Sequence, residues 1–224
     1  MLIENNTVAA QGQMKNSSHV SFLGDPNATK RILVVGNSIT RHGPNAEIGW
    51  GNRDWGMAAS APEKDFVHLL YSMLQSDGQD IFMRVSQCAE WERNFRDETI
   101  LSNYDEDRAF NADIVVFRLG ENVAKDNKPF FQNGMRKFVE HICPNGTVLF
   151  TTCFWENPII DDAIEQIANE RGEICIDCGF SVDEATMAIG EFEHKGVAHH
   201  PSDAGMEKIA KAIFEQLKSD KEKK

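Results

Sequence analysis

Three short polar stretches carry residue types that together could run nucleophilic catalysis. Ser38, in Gly36-Asn37-Ser38-Ile39-Thr40, offers a hydroxyl nucleophile. His200, in His199-His200-Pro201-Ser202-Asp203, offers a base, and Asn122, in Gly120-Glu121-Asn122, offers a side-chain N–H. A serine attacks well only when a base lies within hydrogen-bond reach and donors face the developing oxyanion. One residue is present for each role. Each stretch also has a plain reading: a strand followed by an Asn-Ser turn, a Gly-x-Asn turn, and histidines on a surface loop.

The elements around these stretches decide between the two readings. Ile32 to Val35 is a continuous branched apolar run, the pattern of a strand buried on both faces. Further strands are predicted over 81–85, 113–119, 147–154 and 174–176, and helices over 61–76, 98–110, 130–142, 158–170 and 203–217. Val20, Phe22 and Leu23 form a short strand or an arm before Asp25-Pro26-Asn27 turns the chain. Strands alternating with helices give an α/β fold, a mostly parallel sheet of about five strands between two helical layers. In such a sheet ligands collect at the carboxyl ends of the strands, where Ser38 and Asn122 would be neighbours. A loop entering the last helix brings His200 to the same edge. The expected organisation is an N-terminal arm over 1–30, one domain over 31–217 and a charged tail over 218–224.

Composition narrows the partners. The chain has 224 residues, 41% hydrophobic and 26% charged, with a net charge of −12. No Lys or Arg run precedes the terminal tail, which argues against nucleic acid or an anionic membrane surface as partner. No apolar stretch reaches the roughly 18 residues of a membrane span. Met1-Leu2-Ile3-Glu4-Asn5-Asn6 lacks the basic region and apolar core of a signal peptide, so a cytoplasmic protein is expected, although a trimmed chain would read the same. The five cysteines are odd in number and widely spaced, which reads as reduced thiols. Cys175-Ile176-Asp177-Cys178 has C-x-x-C spacing but no partner pair and no following helix. His194, His199 and His200 fall on a loop, and adjacent loop histidines rarely converge on one ion without a carboxylate or a third ligand. Neither set argues for a metal, and no cofactor is expected.

Gly36-Asn37-Ser38-Ile39-Thr40 resembles the first block of the SGNH (GDSL-type) hydrolases, Gly120-Glu121-Asn122 their third block, and His200-Pro201 their fifth. The order and separation of the blocks fit across roughly residues 31–217. The resemblance implies a flavodoxin-like three-layer α/β/α fold and a serine esterase. It makes Ser38 the nucleophile and His200 the general base. The oxyanion hole it implies consists of the Ser38 amide, a second-block amide and the Asn122 side chain. The second-block glycine is missing: a gapless comparison places Cys88 there, with Ala89 as the alternative. Asn37 stands where the family has an acid, and Val197 stands three residues before His200 where the catalytic acid is expected.

Two solutions for the histidine remain open. A backbone carbonyl, that of Val197 or a neighbour, could hold Nδ1–H in a Ser-His dyad, which is the favoured form. Otherwise Glu193 or Asp203 could reach in, although Asp203 is better explained as the cap or first-turn acid of the last helix. Similarity to carbohydrate-acting branches suggests a small acylated substrate, an acetylated sugar among them. The long loop with Trp50 and Trp55, together with Trp91 and His199, would line its site. Alternatives are a lipid or thioester hydrolase and an inactive carbohydrate-binding relative. Oligomeric state is not legible.

Overall fold

The computed structural model describes residues 19–222. Most of the expected arm, residues 1–18, and the last two residues of the expected tail lie outside the described residues. Six strands form one sheet: β1 (Val20–Gly24), β2 (Lys30–Gly36), β3 (Ile81–Gln87), β4 (Ile114–Arg118), β5 (Thr147–Thr151) and β6 (Ile174–Ile176). Their order is β1-β3-β2-β4-β5-β6, all parallel except β1, which runs antiparallel along β3. The sixth strand is the short Val20 segment. It covers the free edge of β3 and lays Phe22 on Phe82, ring centroids 5.4 Å apart.

Among the described residues, seven α-helices follow in chain order: α1 (Phe66–Ser76), α2 (Ala89–Asn94), α3 (Asp105–Ala109), α4 (Lys128–Ile142), α5 (Pro158–Arg171), α6 (Lys195–Ala198) and α7 (Asp203–Glu222). The period-two alternation of β2 sorts them into layers. Leu33 and Val35 pack with Phe131, Phe138 and Val139 of α4 and with Ile160, Ile164 and Ile167 of α5. Ile32 and Val34 face the other way, onto Phe66 and Leu70 of α1 and Ile209 and Ile213 of α7. Both faces of β2 are therefore dry, as its continuous apolar run requires.

Local signals set the ends. Asp65 caps α1 by accepting from the His68 amide at 2.8 Å, and Gly172, at φ 68°, closes α5 in the left-handed conformation. The helix expected over 98–110 is instead a 3-10 turn, Glu98–Tyr104, running into the short α3. Asp107, on α3, is the reason for a precise placement there. It accepts from Arg84 Nε at 2.6 Å and Ser86 Oγ at 2.8 Å, satisfying two polar residues inside the buried strand β3. The strand expected over 147–154 stops at Thr151, leaving Thr152 to Trp155 as a loop at the carboxyl edge. Helix α2, which the sequence pattern does not announce, begins two residues after β3 and also opens on that edge. Among the described residues, no helix is long and apolar enough to cross a membrane.

Candidate active site

Ser38 stands just past the carboxyl end of β2. The Asn37 carbonyl accepts from the amides of Thr40 and Arg41, both at 3.0 Å, which curls the chain into one tight turn. Gly36 permits the turn, because a Cβ there would lie 1.8 Å from Thr40 Oγ1. The Ser38 carbonyl accepts from the Met57 amide at 2.9 Å, tying the turn to the loop after it. The Ser38 amide itself donates to no acceptor among the described residues.

His200 arrives from the other end of the chain, in the link between α6 and α7. Its amide donates to the Val197 carbonyl at 2.9 Å and its carbonyl accepts from Ala188 at 3.0 Å, so the backbone is held on both sides. The ring places Nε2 2.8 Å from Ser38 Oγ and Nδ1 2.6 Å from the Gly196 carbonyl. A carbonyl only accepts, so Nδ1 carries the proton. Nε2 is then the bare nitrogen of the neutral ring and accepts from the Ser38 hydroxyl. Burial, joined by the charges of His42, Arg118 and His199, lowers the His200 pKa from 6.5 to about 3. His42, almost fully buried nearby, is lowered to about 4, mainly by burial, while its Nδ1 donates to the Gly43 carbonyl at 2.7 Å.

The other side of Ser38 is dense with charge. Arg118, at the end of β4, is fully buried, as is Glu92 on α2; the Glu121 side chain is 4% exposed. Asn37 sits between them. Its Nδ2 donates to Glu92 Oε1 at 3.1 Å and Glu121 Oε2 at 2.6 Å, and its Oδ1 accepts from Arg118 Nη1 at 3.1 Å and the Ile39 amide at 3.2 Å. Arg118 also pairs with Glu121 Oε1, which accepts from the Phe154 amide at 3.0 Å. Glu92 accepts in addition from the Gly120 amide at 2.6 Å and from Asn122 Nδ2 at 2.6 Å. Burial, then the Glu121 charge, pushes the Glu92 carboxyl above the usual carboxylate range. Gly120, at φ 138°, makes the bend into this cluster; a Cβ would meet Ile160 Cγ2 at 2.5 Å and Cys153 Sγ at 2.8 Å. An aspartate at position 37 would turn both Nδ2 bonds into contacts between carboxylate oxygens. That is why an amide stands there.

The structure brings Ser38 and His200 together and ties Asn122 to Asn37 through Glu92. It answers the question of the histidine partner with the Gly196 carbonyl, four residues upstream of His200. Asp203 is spent elsewhere: its carboxylate accepts from the Ser60 amide at 2.8 Å and Ser60 Oγ at 2.7 Å. Glu193 is exposed on the rim of a groove that also holds Glu47, Arg53 and His194.

Five expected roles are corrected. The Cys88 amide cannot serve an oxyanion, because it donates to the Gly36 carbonyl at 2.6 Å and so extends the β2–β3 ladder; the Ala89 amide donates to its neighbour Gln87 Oε1 at 3.2 Å. Trp50 is no wall: it is fully buried against Met57, Ala58 and Val197, its N–H on the His42 carbonyl at 3.1 Å. Trp91 is core, stacked on Phe138 with centroids 4.4 Å apart. Trp55 is half-buried, its ring against Trp50 and its N–H on the Ala59 carbonyl, so it packs the loop rather than a ligand. His199 donates from Nδ1 to the Lys195 carbonyl at 2.6 Å, and it shapes the turn that carries His200.

The aromatic at the site is Trp155, whose ring stands edge-on to His200 at 5.1 Å while its N–H donates to the His199 carbonyl at 3.1 Å. Its signal in the sequence was position, just past β5 on the ligand edge. Glu92, Arg118 and Glu121 carried a subtler one. A charged residue ending the apolar run Ile114 to Arg118 must find a buried counter-charge.

No protein-family model matches the sequence, and no curated protein matches it. Solved structures do. A member of the lipolytic protein G-D-S-L family from Veillonella parvula is 15% identical with a TM-score of 0.52, covering 84% of this chain and 97% of its own. The psychrotrophic esterase EstA from Pseudoalteromonas sp., in a structure inhibited by monoethylphosphonate, is 13% identical with a TM-score of 0.51, over 85% of this chain and 97% of its own. A family two carbohydrate esterase from Cellvibrio japonicus is 15% identical with a TM-score of 0.52, over 86% of this chain and 61% of its own. With its mostly parallel six-stranded sheet between two helical layers, the chain has the fold of the SGNH (GDSL-type) hydrolases.

Proposed function

We propose that the protein is a serine hydrolase of small acyl esters, working through an acyl-enzyme and a Ser38–His200 dyad. The observation that carries this reading is the 2.8 Å contact of Ser38 Oγ with His200 Nε2, in a ring whose other nitrogen is fixed by a carbonyl. Ser38 Oγ attacks the ester carbonyl carbon as its proton passes to Nε2. The imidazolium keeps its Nδ1–H on Gly196 O. The oxyanion takes hydrogen bonds from the Ser38 amide and from the second Nδ2 hydrogen of Asn122, the first being held by Glu92. Collapse of the tetrahedral adduct breaks the ester C–O bond, and His200 returns the proton to the departing alkoxide. Water, deprotonated by the same Nε2, then attacks the acyl carbon, and Ser38 leaves with the proton.

The surroundings of the pair favour a short acyl group. Ser38, His200 and Asn122 are each 9% exposed or less, with Trp155 against the imidazole. A sugar as the alcohol portion finds no aromatic wall in Trp50 or Trp91, so acetyl transfer to water from a small alcohol is the reading we put forward. A p-nitrophenyl ester series tests it: turnover falls from acetate to octanoate and is lost in Ser38→Ala. A preference for octanoate would make the protein a lipid-type acyl hydrolase, and no turnover of any ester by the folded wild type would make it a binding relative.

A further inference from the structure

Resting on the serine-hydrolase reading, we propose that Glu92 and Arg93, consecutive on α2, are positioning residues that fix the carboxamide of Asn122 with one N–H left for the oxyanion. The two ends of a carboxamide have the same shape and opposite hydrogen-bonding character, so only their partners decide which way it faces. Here the partners are themselves opposite. Glu92 Oε2 receives Asn122 Nδ2 at 2.6 Å, and Arg93 Nη2 donates to Asn122 Oδ1 at 3.2 Å. A flipped amide would set oxygen against carboxylate and N–H against guanidinium. With the side chain in its observed orientation, Oδ1 and one Nδ2 hydrogen are spoken for, and the second Nδ2 hydrogen is what remains.

Glu92 does more than hold the side chain. Its Oε1 accepts from the Gly120 amide at 2.6 Å, the Asn122 amide at 3.4 Å and Asn37 Nδ2 at 3.1 Å. One fully buried carboxylate therefore ties the residue preceding the nucleophile to the backbone of the segment that carries the donor. Every one of these contacts is donated to Glu92, which leaves no place for a glutamine nitrogen. In Glu92→Gln that nitrogen faces either Asn122 Nδ2 or the Gly120 amide, and the first arrangement invites the flip.

A merely structural role for Glu92 would lower stability without selecting kcat. Positioning predicts a different pattern, read on p-nitrophenyl acetate. Glu92→Gln lowers kcat by about 10²-fold, on the scale of losing one oxyanion donor, with KM within about twofold. Arg93→Met lowers it by about tenfold, the smaller loss expected when the acceptor end of the amide is released. Both losses vanish in the Asn122→Ala background, because a residue acting through Asn122 has nothing left to position. If Glu92→Gln fails to fold, Arg93→Met with Asn122→Ala carries the same cycle. Unchanged kcat in the folded single variants overturns the proposal. So does a loss confined to KM, or an equal loss with and without Asn122. Ser38→Ala separates the two levels: if it keeps turnover, the hydrolase reading and the positioning role fall together. If it is dead while the cycle is additive, only the positioning role falls.

Discussion

Ser38 has two sides, and they are built to opposite plans. On the base side, His200 is held by single hydrogen bonds to neutral groups, the Gly196 carbonyl and the Ser38 hydroxyl. On the floor side, Asn37 and Asn122 are gripped by two buried carboxylates and a buried arginine. Buried charge is costly unless it is paired and fully hydrogen-bonded. Arg118 pairs with Glu121, and Glu92, which has no ion pair among the described residues, is met by N–H donors drawn from both motif stretches. On the proposed reading, this buried charge fixes the oxyanion donors while the base keeps a neutral partner. Charge on this floor does what a glycine-rich backbone alone cannot: it joins segments more than eighty residues apart, Asn37 to Arg118 and Glu121.

The largest break in this comparison comes from the base side. His200→Ala removes the only group in contact with Ser38 Oγ among the described hydrogen bonds, and kcat on p-nitrophenyl acetate should fall by about 10⁴-fold or more with the fold retained. A smaller loss would show that the floor, not the dyad, supplies most of the rate. Next is the floor itself. Asn122→Ala should lower kcat by roughly 10²–10³-fold with little change in KM; a change mainly in KM would reassign Asn122 to substrate binding.

Asn37→Asp restores the acid that the SGNH resemblance leads one to expect, yet it should destabilise by about 3 kcal/mol or more. It sets a third carboxylate against Glu92 and Glu121, with Arg118 in contact with position 37 and Glu121 only. Urea unfolding checks it, and a variant as stable as wild type would mean that the floor tolerates another charge. At the small end, Glu193→Ala and Asp203→Ala should each leave kcat within about twofold. Asp203→Ala should still lower the melting temperature, because Ser60 loses both of its contacts with that carboxylate.

The base side also sets the pH response. His42 and His200 have folded pKa values of about 4 and about 3, against 6.5 in an open chain. Above pH 7 both rings are neutral whether folded or unfolded, and they cost nothing. As pH falls through 6.5 the unfolded chain takes up protons that the folded one refuses, so stability drops toward pH 4. Thermal melts between pH 7.5 and 4.5 should show that fall, with a shallower slope in His42→Gln. The base form of His200 survives the same descent, so kcat/KM should hold its plateau to about pH 5 rather than bend near 6.5. A bend near 6.5 would mean that His200 gains a carboxylate or solvent in the working enzyme.

The difference between the two sides also explains what could be read beforehand. Ser38, Asn122 and His200 stand next to glycines or a proline at the ends of patterned elements, and local pattern is what a sequence displays. The sheet was equally plain, because β2, β3, β4 and β5 are short apolar runs bounded by turn residues. The floor was not. Glu92 lies on a six-residue helix that is too short to show a period, and its partners come from the turn after β2 and the loop after β4. The tryptophans misled for a related reason. An indole beside glycines, as at Trp50 and Trp55, looks like a ligand wall, but Trp50, like Trp91, is a large apolar group that the tertiary structure buries whole. Trp155 was the one at the carboxyl edge, and its place past β5 was worth more than its type.

The most direct test of the dyad is covalent. An aryl ethylphosphonate fluoride, incubated with the wild-type protein at pH 7.5 and followed by intact mass and peptide mapping, should add one phosphonyl group, on Ser38. The adduct should be absent from Ser38→Ala and form far more slowly on His200→Ala, since the hydroxyl is activated only through Nε2. An adduct on another residue, or equal labelling with and without His200, would contradict the Ser38–His200 pair as the reacting centre.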